Sequence, residues 1–195
     1  RHNPRGTASA ARGKLPVERP RAPSLMGPSG ALRALPPPFN QNLMPNPWTG
    51  KGNPYTREEV RARLQATLDQ GKAIIAAGAG TGISAKFIEK GGADLIIIYN
   101  SGRFRMMGHG STCGRMAYGD ANAIAMEIGE YEVLPVVKEI PVVCGVHATD
   151  PRRRMWHWLQ QVKNMGFSGV NNFPTHCIVD GHFRGVLEET GMSVQ

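Results

Sequence analysis

Along residues 73–173, short continuous apolar runs alternate with longer segments of helical periodicity. This pattern predicts repeated strand–helix units. Short apolar runs, which indicate strands, lie at residues 73–77, 95–99, 141–146 and 169–173. Helical patterns lie between them, at residues 84–90, 120–130 and 152–165. Runs that are apolar on both faces are typical of parallel strands covered by helices. The pattern therefore predicts an α/β fold with a parallel sheet, either a (β/α) barrel or an open doubly wound sheet.

A further helix is predicted just before the first strand. Thr56 and Glu59 have capping-box spacing, in which each side chain binds a free N–H of the first turn. Val60, Leu64 and Leu68 then fall on one helical face. The long segment 100–119, rich in glycine, is predicted to be a loop.

The first 50 residues are predicted to form a separate, disordered extension. They contain ten prolines and show no sustained helical or strand period. Their Arg-rich, acid-poor composition is also typical of organelle transit peptides, so organelle targeting is the alternative to a cytoplasmic location. Residues 51–195 are then expected to form the folded domain.

Charge and cysteine content narrow the classes of partner. The net charge is +8, but residues 1–50 hold seven Lys/Arg and one acid, which leaves about +2 for the rest. The sequence contains no recognisable nucleic-acid-binding motif, so we expect no nucleic-acid partner. No apolar run approaches the roughly 20 residues of a membrane span, so we expect no membrane partner. Three cysteines without a CxxC pair fit a reducing compartment, and Cys144 and Cys177 are expected to be buried.

In both candidate architectures the ligand site lies at the carboxyl ends of the strands. The turn after the first strand contains Gly80, Thr81, Gly82 and Ser84 and opens a helix. Glycines and free N–H groups in this position favour an anion, so the turn is a candidate phosphate or carboxylate site. The alternative is a tight turn without a ligand. A dinucleotide fingerprint would need glycine at Ile83, so no nucleotide cofactor is expected.

Polar residues also follow the second and fourth strands. Asn100 could hydrogen-bond a substrate, and Arg103 could pair with its carboxylate or phosphate. The alternative there is a capped loop with solvated arginines. Asn171, at the end of the fourth strand, suits recognition of a carboxylate or carbonyl oxygen.

His147 and Asp150 follow the third strand. An imidazole and a carboxylate in this place could act as acid and base, and Asp150 could help to hold Mg²⁺. The alternative for Asp150 is an N-cap of the next helix, because Pro151 follows it.

Long motifs carry a family resemblance over residues 53–192. They read IIAAGAGTGISAKFIEKGGADLIIIYNSGRFRMMG, YGDANAI, GVHATDP, GFSGVNNFPT and DGHFRGVLEETGM. These stretches resemble the TIM-barrel family called phosphoenolpyruvate-hydrolase-like. They are also similar to the C-terminal domain of plant tobamovirus-resistance proteins, and the family is distantly related to the phosphoenolpyruvate mutase and isocitrate lyase superfamily.

The resemblance implies a TIM barrel, of which this chain would hold about the first four of eight units. It implies a hydrolase-type activity on a small anionic carboxylate or phosphonate with Mg²⁺. From their own positions at the strand ends, Asn100, His147 and Asp150 are the predicted catalytic residues. A non-catalytic binding or regulatory module is the alternative. Half a barrel would expose two strand edges, so we expect a homo-oligomer and no independent activity.

Limited proteolysis tests the predicted extension. A protease should cut within residues 1–50 first, because proline-rich segments without regular structure offer accessible backbone. Mass spectrometry of the fragments would locate the cuts. An intact tail on a chain already cut within residues 51–195 would contradict the prediction.

Overall fold

The computed structural model describes residues 52–192, and the expectations for residues 1–50 lie outside that part. The described chain is an α/β domain whose four strands are parallel, in the order β1-β2-β3-β4. The strands are Ala76–Ala79 (β1), Leu95–Ile98 (β2), Val142–Val146 (β3) and Gly169–Asn172 (β4). The helices are Arg57–Asp69 (α1), Gly82–Lys90 (α2), Asn100–Met106 (α3), Ala121–Ile128 (α4), Met155–Met165 (α5) and Gly181–Glu189 (α6).

The predicted α/β class and parallel sheet are confirmed, and so is the capping box. The Glu59 backbone N–H donates to Thr56 Oγ1 at 3.2 Å, and the Thr56 N–H donates to the Glu59 carboxylate at 2.7 Å. The first strand begins three residues later than predicted. The Asp94 carboxylate accepts the Ile75 N–H at 2.8 Å, so this N–H is bound outside the sheet ladder.

Segment 100–119 is more ordered than predicted. It contains α3 and a short 3-10 helix, Ser111–Arg115. The loop was predicted from the glycine content of this segment. In the structure a glycine is needed at position 114 for close packing, because a Cβ on Gly114 would lie 2.5 Å from the Cβ of Ser101. Helix α6 was not predicted either.

The core lies between one face of the sheet and helices α2, α4 and α5. The sheet side is formed by alternate residues, which the register places on one face: Ile96, Ile98, Val142, Cys144 and Val146. The helix side is formed by Ala85, Ala125, Ile128 and Val162. Because all four strands are parallel, their carboxyl ends meet at one edge above this core.

The cysteine predictions have different outcomes. Cys144 is buried in the core as predicted, and burial raises the pKa of its thiol to about 12. Cys177 is exposed, so the prediction that it is buried is wrong. It lies in the short 3-10 helix His176–Ile178 that follows β4, outside the sheet. Among residues 52–192, no helix has the length and apolar character needed to cross a membrane.

The turn after β1 packs directly on the start of α3. A Cβ on Gly80 would overlap the carbonyl group of Gly102, and one on Gly102 would lie 2.9 Å from the Ala79 carbonyl oxygen. Both obstacles are backbone atoms, so no side-chain rotation can relieve the overlap. This contact fixes the relative position of the first two strand ends.

Gly80→Ala should therefore destabilise the domain by about 1–3 kcal/mol, as overpacking does. The matched control is Gly185→Ala in α6, where a Cβ meets no atom within 4 Å. Alanine there should be neutral or stabilising by up to about 1 kcal/mol. Urea unfolding followed by circular dichroism compares the two variants, and equal midpoints would contradict the packing argument.

Candidate functional site

A cavity of about 400 Å³ lies at the carboxyl ends of β2, β3 and β4. Its polar lining residues are Asn100, Arg115, Asn122, His147, Thr149, Asp150, Arg152, Thr175 and His176. Its apolar wall is formed mainly by Met116, Val179, Phe183, Leu187 and Met192. Pockets of this size hold small molecules, so this is the candidate ligand site.

His147 directly follows β3 and lies in the cavity wall. Its Nδ1 is 2.7 Å from the carbonyl oxygen of Pro174, in the loop after β4. A carbonyl oxygen only accepts hydrogen bonds, so Nδ1 carries the proton. In the neutral ring Nε2 then has a free lone pair, which can accept a proton or a hydrogen bond.

Asn122, in the first turn of α4, holds the backbone of His147. Its Oδ1 accepts the His147 N–H at 2.8 Å, and its Nδ2 donates to the His147 carbonyl at 3.2 Å. The same Nδ2 lies 3.1 Å from the carboxylate of Asp150. Asn122 is 1% exposed and therefore links helix α4 rigidly to the loop after β3. Asn122 was not among the predicted site residues, although it lies in the conspicuous motif YGDANAI.

Asp150 is buried and its carboxylate is fully paired. It accepts the Arg152 N–H at 3.0 Å and bonds the guanidinium groups of Arg152 and Arg153 as well as Asn122. Burial alone would raise the pKa of Asp150. The bonds from Arg152, Asn122 and Arg153 outweigh burial and hold that pKa well below its usual range.

The arrangement around Asp150 also corrects two details of the sequence analysis. Helix α5 begins at Met155 rather than at residue 152, and its N-cap is Arg154. Asp150 therefore caps no helix, because its oxygens serve the turn that precedes α5. Both arginines of this turn also bind Asp120, at 3.0 and 2.6 Å, which joins the turn to the start of α4.

This environment does not fit a Mg²⁺ ligand. A divalent cation at Asp150 would have to lie beside two guanidinium groups and displace their hydrogen bonds. In the described part of the chain, no three His, Cys, Asp or Glu side chains are grouped as a metal site requires. Mg²⁺ stays a prediction that these residues do not support.

Asn100 is the first residue of α3 and belongs to the cavity lining. Its Nδ2 donates to the Gly114 carbonyl at 2.8 Å, which ties α3 to the following 3-10 helix. The residue is 3% exposed, and its Oδ1 has no partner among residues 52–192. A buried carbonyl oxygen without a donor is unfavourable, so the packing of the surrounding residues must hold Asn100 in this position.

Two arginines give the cavity rim its positive charge. Arg115 is exposed and lies 6.0 Å from the centre of the Phe173 ring. Within residues 52–192, no carboxylate lies within ion-pair distance of it. Arg152 is largely exposed as well, but its charge is shared with Asp120 and Asp150. Arg115 was not identified from the sequence, because its position depends on the fold of segment 100–119.

The glycine turn after β1 lies outside this cavity, and its polar groups bind one another. Ser84 Oγ donates to the Thr81 carbonyl at 2.8 Å, and the two residues form a capping box for α2. The Gly82 N–H donates to the carboxylate of Glu132 at 3.3 Å. An internal carboxylate thus occupies the helix start where an anionic ligand was predicted. Anion binding at this turn stays a prediction.

The remaining predicted residues, Arg103 and Asn171, also lie outside the cavity lining. Arg103 binds Glu127 at 3.1 Å and Glu132 at 3.7 Å, so its charge is already balanced. Asn171 is exposed on β4, paired in register with Gly145. The fold therefore brings together the three predicted catalytic residues and leaves the predicted anion-binding residues elsewhere.

Asp150→Asn should lower the free energy of unfolding by about 3 kcal/mol at neutral pH, because it removes the charge from a buried, paired carboxylate. The folded-state pKa is lowered, so this stabilisation is present above the unfolded pKa of about 4 and is lost as the pH falls further. Denaturant unfolding at pH 7 and pH 3 measures the difference between wild type and variant, which should shrink at pH 3. Asp180→Asn, at an exposed residue whose side chain caps no helix N–H, is the control. A loss that is the same at both pH values would contradict the pairing.

Comparison with known proteins gives the same family as the motifs. The profile described as phosphoenolpyruvate hydrolase-like matches residues 59–195. The ToMV resistance protein Tm-1(GCR237) of Solanum lycopersicum is 58% identical over 136 residues, which are 70% of this chain and 18% of that protein. The ToMV susceptible protein tm-1(GCR26) of the same plant is 60% identical over 133 residues, 68% of this chain and again 18% of the relative.

The chain thus spans less than a fifth of the length of these curated relatives. The profile covers well over half of the chain and includes α1 through α6 almost entirely. The resemblance carried by the sequence motifs is confirmed. The chain belongs to the phosphoenolpyruvate hydrolase-like family.

Proposed function

We propose that this domain has a TIM-barrel-type fold and binds a small carboxylate or phosphonate anion in the cavity at the strand ends. The observation that carries the proposal is the meeting of Asn100, His147 and Arg115 around one cavity of about 400 Å³. His147 supplies a general base, Arg115 supplies a cation without a carboxylate partner among residues 52–192, and the buried Asn100 forms part of the cavity wall. Asn100 and Arg115 come from the connection between β2 and β3, and His147 directly follows β3, at the end of the sheet where barrel enzymes have their active sites.

Two features of the fold support the barrel. The strands lie in sequential order without a reversal, whereas a doubly wound sheet reverses its order at the ligand site. Helices α2, α4 and α5 all pack on the same face, whereas a doubly wound sheet carries helices on both faces. Glycines 78 and 145 lie on the other face, which in a barrel is the narrow interior.

His147 is suited to move a proton to or from the bound molecule. The bond from Nδ1 to the Pro174 carbonyl holds the ring orientation, and the two bonds from Asn122 hold the backbone beneath it. Nε2 is the atom that would act as general base. Asp150 cannot share this role, because its pKa is lowered and both its oxygens bind guanidinium or amide donors.

Arg115 is the group proposed to bind the anion. A guanidinium pairs with carboxylate or phosphonate through parallel N–H bonds, and that of Arg115 has no competing carboxylate among residues 52–192. The lining as a whole contains two arginines and one acid, so its net charge is positive. The family's resemblance to enzymes of small α-keto and phospho-carboxylates points to the same class of ligand.

Arg115→Gln should weaken binding of pyruvate or phosphonoacetate about tenfold, as expected for a hydrogen bond to a charged group. Arg61→Gln on the exposed face of α1 is the matched control and should bind as the unmodified chain does. Chemical-shift titration measures affinities in the millimolar range. Equal affinities for the Arg115 variant and the unmodified chain would refute the proposed site, as would the absence of binding to either anion.

A non-catalytic binding module is the second candidate function. It is favoured by the state of Asp150, since the only acid in the cavity lining of the described chain is held ionised between two arginines. Turnover and binding, measured for His147→Gln and for the unmodified chain, distinguish the two functions. In an enzyme it should reduce turnover of a bound keto acid by about 10²–10⁴-fold while binding persists. In a binding module, the unmodified chain itself binds the anion without turnover.

A further inference from the structure

The apolar wall of the cavity is exposed to solvent. It is formed mainly by the side chains of Met116, Val179, Phe183, Leu187 and Met192. Phe183 is 61% exposed and Met116 is 57% exposed, although both belong to the lining of one cavity. Single exposed apolar side chains are common in folded proteins, whereas apolar side chains grouped around a cavity indicate a binding surface. The cavity can therefore bind an apolar group in addition to an anion.

Helix α6 presents part of this apolar wall. Phe183 and Leu187 are four residues apart, so they lie on one face of the helix, and both line the cavity. No residue of α6 is buried, and α6 contributes no side chain to the core of the described chain. Packing within residues 52–192 therefore leaves the apolar face of α6 accessible from the cavity.

The cavity is also larger than a three-carbon acid requires. Its volume of about 400 Å³ lies in the range of about 300–1,000 Å³ that is typical of sites for drug-sized ligands. Arg115 and Met116 are consecutive residues that both line the cavity, so its cationic and apolar parts adjoin. One molecule can thus pair its anionic group with the guanidinium and bury its apolar group against the wall.

We propose that the natural ligand is a carboxylate whose apolar side chain is larger than the methyl group of pyruvate, bound with the carboxylate at Arg115 and the side chain against Phe183 and Leu187. This inference rests on the proposed function and adds the chemical class of the rest of the molecule. A charged or hydroxylated side chain is disfavoured, because its polar groups would lose water on the apolar wall without gaining a hydrogen bond there.

The test uses a series of acids that differ only in the number of methylene groups, on the full 195-residue chain. The probes are pyruvate, α-ketobutyrate, α-ketovalerate and α-ketocaproate, titrated by chemical shift or calorimetry. Each added methylene should tighten binding about threefold, and the whole series about 30-fold, because each is removed from water on the apolar wall. Equal affinity along the series, with binding still weakened by Arg115→Gln, overturns this inference and leaves the proposed function standing. No binding by any of the four acids overturns both.

A variant locates the preference at α6. Phe183→Ala removes the ring from the wall and should reduce the gain along the series to a few-fold, with little effect on pyruvate. Phe87→Ala in α2 is the matched control, since Phe87 is 60% exposed and lies outside the cavity lining, and it should retain the full gain. Should Phe183→Ala fail to fold, as judged by circular dichroism, the series on the unmodified chain still decides. A folded Phe183→Ala chain that keeps the full gain contradicts the assignment.

Discussion

The paired carboxylate of Asp150 organises the edge of the sheet where the strands end. It draws together the loop after β3, the first turn of α4 through Asn122, and the two arginines that precede α5. A buried carboxylate must be paired to remain charged, so these partners are required wherever Asp150 is buried. Asn122, positioned by this group, also holds both backbone polar groups of His147. The position of the His147 backbone therefore depends on the pairing of the Asp150 carboxylate.

This pairing also decides what chemistry is left for the cavity. With Asp150 paired to two arginines, the lining in the described chain has a net positive charge and no free carboxylate. Such a surface attracts an anion, whereas a metal site needs several free carboxylates or imidazoles. The functional proposals follow from this distribution of charge.

At the glycine turn after β1, a carboxylate of the chain itself occupies the place predicted for an anionic ligand. Free N–H groups at a helix start do favour negative charge, and the Gly82 N–H binds a carboxylate. That carboxylate belongs to Glu132, in the π-helical turn that follows α4, and Arg103 balances its charge. Glu132, fifty positions along the chain, thus binds the N–H group that was predicted to bind an anionic ligand.

The sequence by itself determined the alternation of strands and helices, the parallel sheet and the family. These depend on local apolar periodicity and on long motifs, both of which are visible without knowing which segments touch. It also placed Asn100, His147 and Asp150 at strand ends, because parallel strands end at a common edge. Only the tertiary structure decided which polar groups are free. Asp150, Arg103 and Ser84 have polar protein partners. In the described chain, Arg115 has no carboxylate within ion-pair distance and Asn100 Oδ1 has no hydrogen-bond donor. The physical reason is that these hydrogen bonds and ion pairs form between residues far apart in sequence, and local sequence patterns do not predict which residues will meet.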